Sequence, residues 1–173
     1  KEAKNTLLVL TKKDSNKNFL LKLAEIHTYL NEFNESKNIL DTIIDNLDLN
    51  SNLYNLLLIT YSNLSDYKTI LKFSDEYINL FPKDKDGYEN KALALMKMKK
   101  NNELVIFLEL AKSKFPSNIF FKHLLGDIYT SEKKYQEAEL EYLNALNLIG
   151  GNKIIRNSLL TLYESKKNYS KSD

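Results

Sequence analysis

The chain contains no cysteine, which excludes disulfides, thiolate metal sites and a cysteine nucleophile. Arg156 is its only arginine. Arginine is the usual bidentate reader of guanine and phosphate, so nucleic acid is not expected as a partner. Four glycines and two prolines in 173 residues are too few for a turn-rich all-β fold. Their scarcity favours helices joined by short loops. No apolar run approaches the roughly 18 residues of a transmembrane span, and "KEAKNTLLVLTKKDSN" at the start lacks a cleavable signal pattern. A soluble domain, excised or not from a longer chain, is the expectation, and the compartment stays open.

What is present is globular in composition, with 43% hydrophobic and 28% charged residues. The net charge is only +2, too small a field to draw the protein to a polyanion. The internal order is a repeat. "FPKD" at Phe81–Asp84 returns as "FPSN" at Phe115–Asn118, a shift of 34 residues. The same step leads back from Pro82 to Asp48 and forward from Pro116 to Gly150, all places where helical periodicity lapses. Tyr61, Tyr129 and Tyr163 share one register, and Phe33, Tyr67 and Tyr135 share another.

The repeats are 17–50, 51–84, 85–118 and 119–152, and each reads as two amphipathic stretches flanking a polar turn. The turns are "LNEF", "LSDY", "MKKN" and "EKKY". In the first repeat Leu20, Leu23, Ala24 and His27 precede the turn, while Ile39, Leu40 and Ile43 follow it. Residues 1–16 read as the second helix of an earlier pair, with Ala3, Leu7 and Leu10 in the expected spacing. Residues 153–166 read as the first helix of a further pair, with Tyr169 opening its second. That helix holds Ile154, Ile155, Leu159, Leu160, Leu162 and Tyr163, more apolar groups than one buried face needs. A longer array, or ends that pair with another molecule, is expected; a single greasy capping helix is the competing reading.

Gly126 stands mid-helix, where glycine costs about 1 kcal/mol relative to alanine. Facing its partner helix beside Ala138 and Ala145, it permits close approach of two backbones, with Tyr129 and Tyr142 filling the flanks.

At this point the chain resembles the tetratricopeptide repeat, whose signature W-x2-L-G-x2-Y … A-x3-F … P has a period of about 34 residues. The fourth repeat supplies Leu125, Gly126, Tyr129, Ala138 and Tyr142 in those places, with Lys122 where tryptophan would stand. The third supplies Tyr88, Ala92, Leu108, Ala111 and Pro116. The first is looser, keeping Leu23, Ala24 and Leu40 but using His27 and Ser36. The second keeps Tyr54, Leu57, Tyr61 and Pro82, but its small slots hold Leu58, Ile70 and Tyr77, which should push its helices apart. The resemblance implies one all-α domain over residues 1–173, a right-handed solenoid of antiparallel helix pairs with about ten helices.

The resemblance also implies a function: a non-catalytic scaffold whose first helices line a concave groove for a peptide, a helix or a partner subunit. The groove positions are Asn52, Asn55, Ile59, Glu89, Leu93, Met96, Phe120, His123 and Asp127. Leu93, Met96 and Phe120 would supply apolar pockets, while Asn55 and Glu89 would bond an extended backbone. Some members clamp a partner's C-terminal carboxylate with basic residues. Here the analogous places hold Leu21, Glu25, Glu89, Leu93 and Phe120, so that binding mode is disfavoured. The alternative reading is a structural module that self-associates through its terminal helices.

Catalysis finds little support. His27 sits in an inward tyrosine slot and reads as a core histidine. His123 and Asp127, four apart, suit a weak metal or acid–base pair, but nothing completes such a site, and a solvated pair is the preferred reading. "GGN" at Gly150–Asn152 is too short for a phosphate loop. The Asn-x-Ser matches at Asn34, Asn63 and Asn168 are expected by chance among 21 asparagines. No cofactor is expected. Lys99, Lys100, Lys133, Lys134, Lys166 and Lys167 fall at successive turns. They are read as complements to helix dipoles, ahead of a basic ridge for an acidic segment or an anionic membrane.

Overall fold

A computed structural model describes residues 17–46, 49–149 and 152–169. Among them are nine α-helices, one 3-10 turn at Ile44–Asn46 and no strand. The helices are α1 (Lys17–Tyr29), α2 (Phe33–Ile43), α3 (Ser51–Asn63), α4 (Tyr67–Leu80) and α5 (Lys85–Lys97). They continue as α6 (Asn101–Lys114), α7 (Ile119–Ser131), α8 (Tyr135–Ile149) and α9 (Lys153–Tyr169). The expected half-repeat at 1–16, with Ala3, Leu7 and Leu10, lies outside the described residues, as do Asp48 and Gly150.

Local chemistry explains where the helices start and stop. Asn50, Asp84, Asn118 and Asn152 each accept a bond from a backbone N–H two residues on, at 2.8 to 3.0 Å. These side chains satisfy donors that a helix N-terminus leaves free. The first helix of each pair ends in a recurring turn. Asn31, Ser65, Lys99 and Lys133 have φ between 56° and 61°, and they follow one another at intervals of 34 residues. At each, the next residue donates its N–H to a carbonyl five residues back, as Glu32 does to His27 at 2.8 Å and Lys134 to Tyr129 at 2.9 Å. This Schellman geometry normally recruits glycine. Here none of the four positions is glycine.

The chain divides into two compact units within α5, between Ala94 and Leu95. In the first unit, Ala24 and Ser36 are fully buried, and the Ser36 hydroxyl donates to the Ala24 carbonyl at 3.0 Å. Thr28 Oγ1 lies 2.7 Å from Ser36 Oγ and 2.9 Å from Thr60 Oγ1, which joins α1, α2 and α3 through buried hydroxyls. His27 is buried as expected of a core histidine, with Nδ1 2.7 Å from Glu32 Oε2. In the next pair the Tyr54 and Tyr77 rings stack at 4.1 Å and 11°. The backbones of α3 and α4 stay close over less of their length than those of α1 and α2, as the large residues Leu58, Ile70 and Tyr77 foretold.

In the second unit, α7 and α8 run close together. A Cβ built on Gly126 would lie 2.5 Å from Tyr142 Cε1 and 2.7 Å from Cδ1. Tyr142 therefore does not flank the glycine; its ring lies across it. Ala138 and Ala145 are fully buried beside Tyr142, and Ile155, Leu159 and Leu162 of α9 close the same core. The opposite side of α9 leaves Ile154, Leu160 and Tyr163 exposed.

One local expectation fails. Lys166 and Lys167 do not form a turn, and Tyr169 does not open a new helix, because α9 continues without a break from Lys153 to Tyr169. The sequence there holds no glycine or proline to stop it, and the two lysines favour the negative end of the helix dipole.

Candidate functional site

The first helix of each pair keeps one face out of the core, and the residues expected to line a groove are all on such helices. In the first unit Asn52, Asn55 and Ile59 are exposed along α3. Glu89 and Leu93 lie on α5, with Glu89 3.2 Å from Lys85 and Leu93 37% exposed. An open cleft of about 380 Å³ separates α1 from α3 and includes Asn52, Leu21, Lys22 and Glu25. Its carboxylate is already engaged: Lys22 Nζ lies 2.6 Å from Glu25 Oε2.

In the second unit Met96 and Phe120 are half-buried, and the Phe120 ring meets Phe121 edge-on at 5.5 Å. Neither lines the cleft that holds their neighbours. That cleft, of about 350 Å³, opens between α7 and α9 above Tyr142. Asp127, Thr130, Asn157, Ser158 and Thr161 supply its polar wall and Ile154 its apolar edge. His123 Nε2 lies 2.9 Å from Ser158 Oγ, tying α7 to α9. The Tyr142 hydroxyl donates to Asp127 Oδ1 at 2.7 Å, and His123 Nε2 lies 3.7 Å from the same oxygen. Burial raises the Tyr142 phenol above its ordinary range, and the adjacent Asp127 carboxylate adds to the shift.

The structure thus brings His123 and Asp127 together with Tyr142, which the sequence placed only as packing beside Gly126, and with Ser158, which the sequence did not single out. Ser158 falls 35 residues from His123, one repeat plus one position, so the period already hinted at it. Among the described residues no group of three or more His, Asp or Glu side chains is placed to hold a metal ion. No described helix is long and apolar enough to cross a membrane. Of the lysines read along the turns, Lys100 pairs with Glu103 at 3.0 Å and Lys134 with Glu132 at 2.7 Å.

Solved structures of the same fold are tetratricopeptide-repeat proteins. A structure of MamA from strain AMB-1 superposes with a TM-score of 0.65 at 14% identity, covering 91% of this chain and 86% of that one. TTC0263, a thermophilic TPR protein of Thermus thermophilus, gives 0.60 at 18% identity over 87% and 83%. A tetratricopeptide repeat protein from Parabacteroides merdae gives 0.60 at 16% identity over 92% and 63%. No family model matches the chain, and no curated protein matches it. The fold is all-α and tetratricopeptide-like, as the sequence pattern implied.

Proposed function

We propose that the protein is a non-catalytic interaction module that holds a peptide or helix of a protein partner against the open faces of its first helices. The observation that carries this reading is the cleft between α7 and α9. Its walls are held by cross-helix hydrogen bonds of their own, from His123 to Ser158 and from Tyr142 to Asp127. A site built before its partner arrives loses little entropy on binding. The repeat fold supports the same reading, since equivalent faces recur on α3, α5 and α7. Asn52, Asn55, Ile59, Glu89 and Leu93 would take part in the first unit, and Met96, Phe120, His123 and Asp127 in the second.

Peptides selected from a displayed random library, mapped by backbone amide chemical shifts, test the proposal. Shifts should gather on α3, α5 and α7. Shifts confined to α2, α4, α6 and α8 would refute it.

A second reading rests on α9, where Ile154 is 64% and Leu160 60% exposed. Apolar groups so open on one helix favour self-association through that helix. Sedimentation at rising concentration should then show a dimer that Leu160→Asp abolishes; a monomer throughout removes this reading.

A further inference from the structure

Resting on the interaction-module reading, we infer that the α7–α9 cleft takes the cationic end of a partner's lysine or arginine side chain, with Asp127 as counter-ion. Among the described residues Asp127 is the only charged one in the wall, and none of those that line it is a lysine or arginine. Its Oδ1 is occupied by the Tyr142 hydroxyl, while no hydrogen bond reaches Oδ2 from the described residues. The carboxylate is therefore fixed by one oxygen and open at the other. A carboxylate already held in place gives up little side-chain freedom when it meets a cation.

The surroundings suit an amine or guanidinium on an aliphatic stem. Thr130, Asn157, Ser158 and Thr161 offer neutral oxygens for the remaining N–H groups. Ile154, 64% exposed at the edge, offers apolar surface for the methylenes. A divalent ion is a poorer fit, since it asks for about six oxygen ligands and more than one carboxylate. The cleft between α1 and α3 makes the contrast within the same protein. There Lys22 already neutralises Glu25 at 2.6 Å, so no outside cation is called for. The carboxylate-clamp mode is reversed in sign: this surface selects a positive group where a clamp would select a negative one.

The probe is a displayed library of random dodecapeptides, selected in parallel on the wild type, Asp127→Asn and Thr161→Lys. Asparagine keeps an acceptor for Tyr142, and Thr161 is exposed, so both variants should fold with unchanged helical circular dichroism. Wild-type pools should converge on lysine or arginine at one position, and that preference should vanish on both variants. A resynthesised binder should weaken at least tenfold on Asp127→Asn and lose its salt dependence. A basic preference that persists on Asp127→Asn overturns the inference. Pools without a basic position, whose shifts still map to the first helices, overturn it while leaving the interaction module standing. Failure to enrich any peptide overturns both.

Discussion

At one register the second and fourth helix pairs exchange their bulk. Leu58 on α3 and Ser74 on α4 stand where Gly126 and Tyr142 stand on α7 and α8, two periods later. In the fourth pair the second helix sends a large ring onto a glycine of the first. In the second pair the ring comes from the first helix instead: Tyr54 reaches Ser74, hydroxyl to hydroxyl at 2.9 Å, and stacks on Tyr77. Both interfaces bury a hydrogen-bonded phenol, with Tyr54 at 1% and Tyr142 at 2% exposure. What the two pairs share is filled volume, not a residue at a position. Close packing demands that the space be occupied, and it does not specify from which side.

The sharpest way to break this comparison is to transplant one solution into the other. Tyr142→Ser should cost about 3–5 kcal/mol through the cavity it leaves. Gly126→Leu should cost at least about 3 kcal/mol, beyond the usual overpacking penalty of about 1–3, because the ring beneath it is fully buried and hydrogen-bonded. If the exchange is real, the double variant should lose at least about 1 kcal/mol less than the sum of the singles. Urea unfolding of the four proteins measures it, and strict additivity would show that the two sites do not trade volume.

A gentler contrast lies in alkali. Burial pushes Tyr54 up to about 12 and also raises Tyr142. Both phenols ionise first in the unfolded chain, near the ordinary value of 10.0. Their contribution is therefore complete below about pH 10 and is lost as pH rises towards the folded values. Stability should fall above that pH, and Tyr54→Phe or Tyr142→Phe should each flatten the fall. Over this range the two should flatten it to a similar degree, because both folded phenols keep their protons while the unfolded ones ionise. Urea midpoints between about pH 8 and 11 give the comparison. Equal slopes for wild type and both variants would refute it.

The smallest expected effect concerns the turns. Lys133 holds φ at 59° and Asn31 at 61°, a region that costs a lysine more than an asparagine. Lys133→Gly should stabilise by about 0.5–1 kcal/mol, and Asn31→Gly by clearly less. A shift in thermal midpoint reads the difference. A loss of stability in Lys133→Gly would mean that the added freedom of the unfolded chain outweighs the relief.

Much of this was legible beforehand. The period, the helix pairs, the buried His27 and the spread second pair follow from apolar spacing and residue size. The helix starts were equally visible in retrospect, since Asn50, Asp84, Asn118 and Asn152 are good N-caps at one repeat position. The left-handed turns were not, because Ser65, Lys99 and Lys133 carry none of the glycine signal that usually marks them. The break expected near Lys166 was periodicity carried one repeat too far: a register predicts a turn, but only a breaking residue ends a helix.

The sequence by itself determined how many residues make a unit, which faces turn inward and where caps interrupt the helices. Those are short-range matters, settled by spacing along one helix and by side chains bonding to nearby backbone. Only the tertiary structure decided that the Tyr142 ring covers Gly126, that Lys22 silences Glu25 and that Asp127 keeps one oxygen open. Those outcomes depend on where flexible side chains come to rest once neighbouring helices pack. A change of rotamer moves a charged end by several ångströms while leaving the repeat pattern untouched.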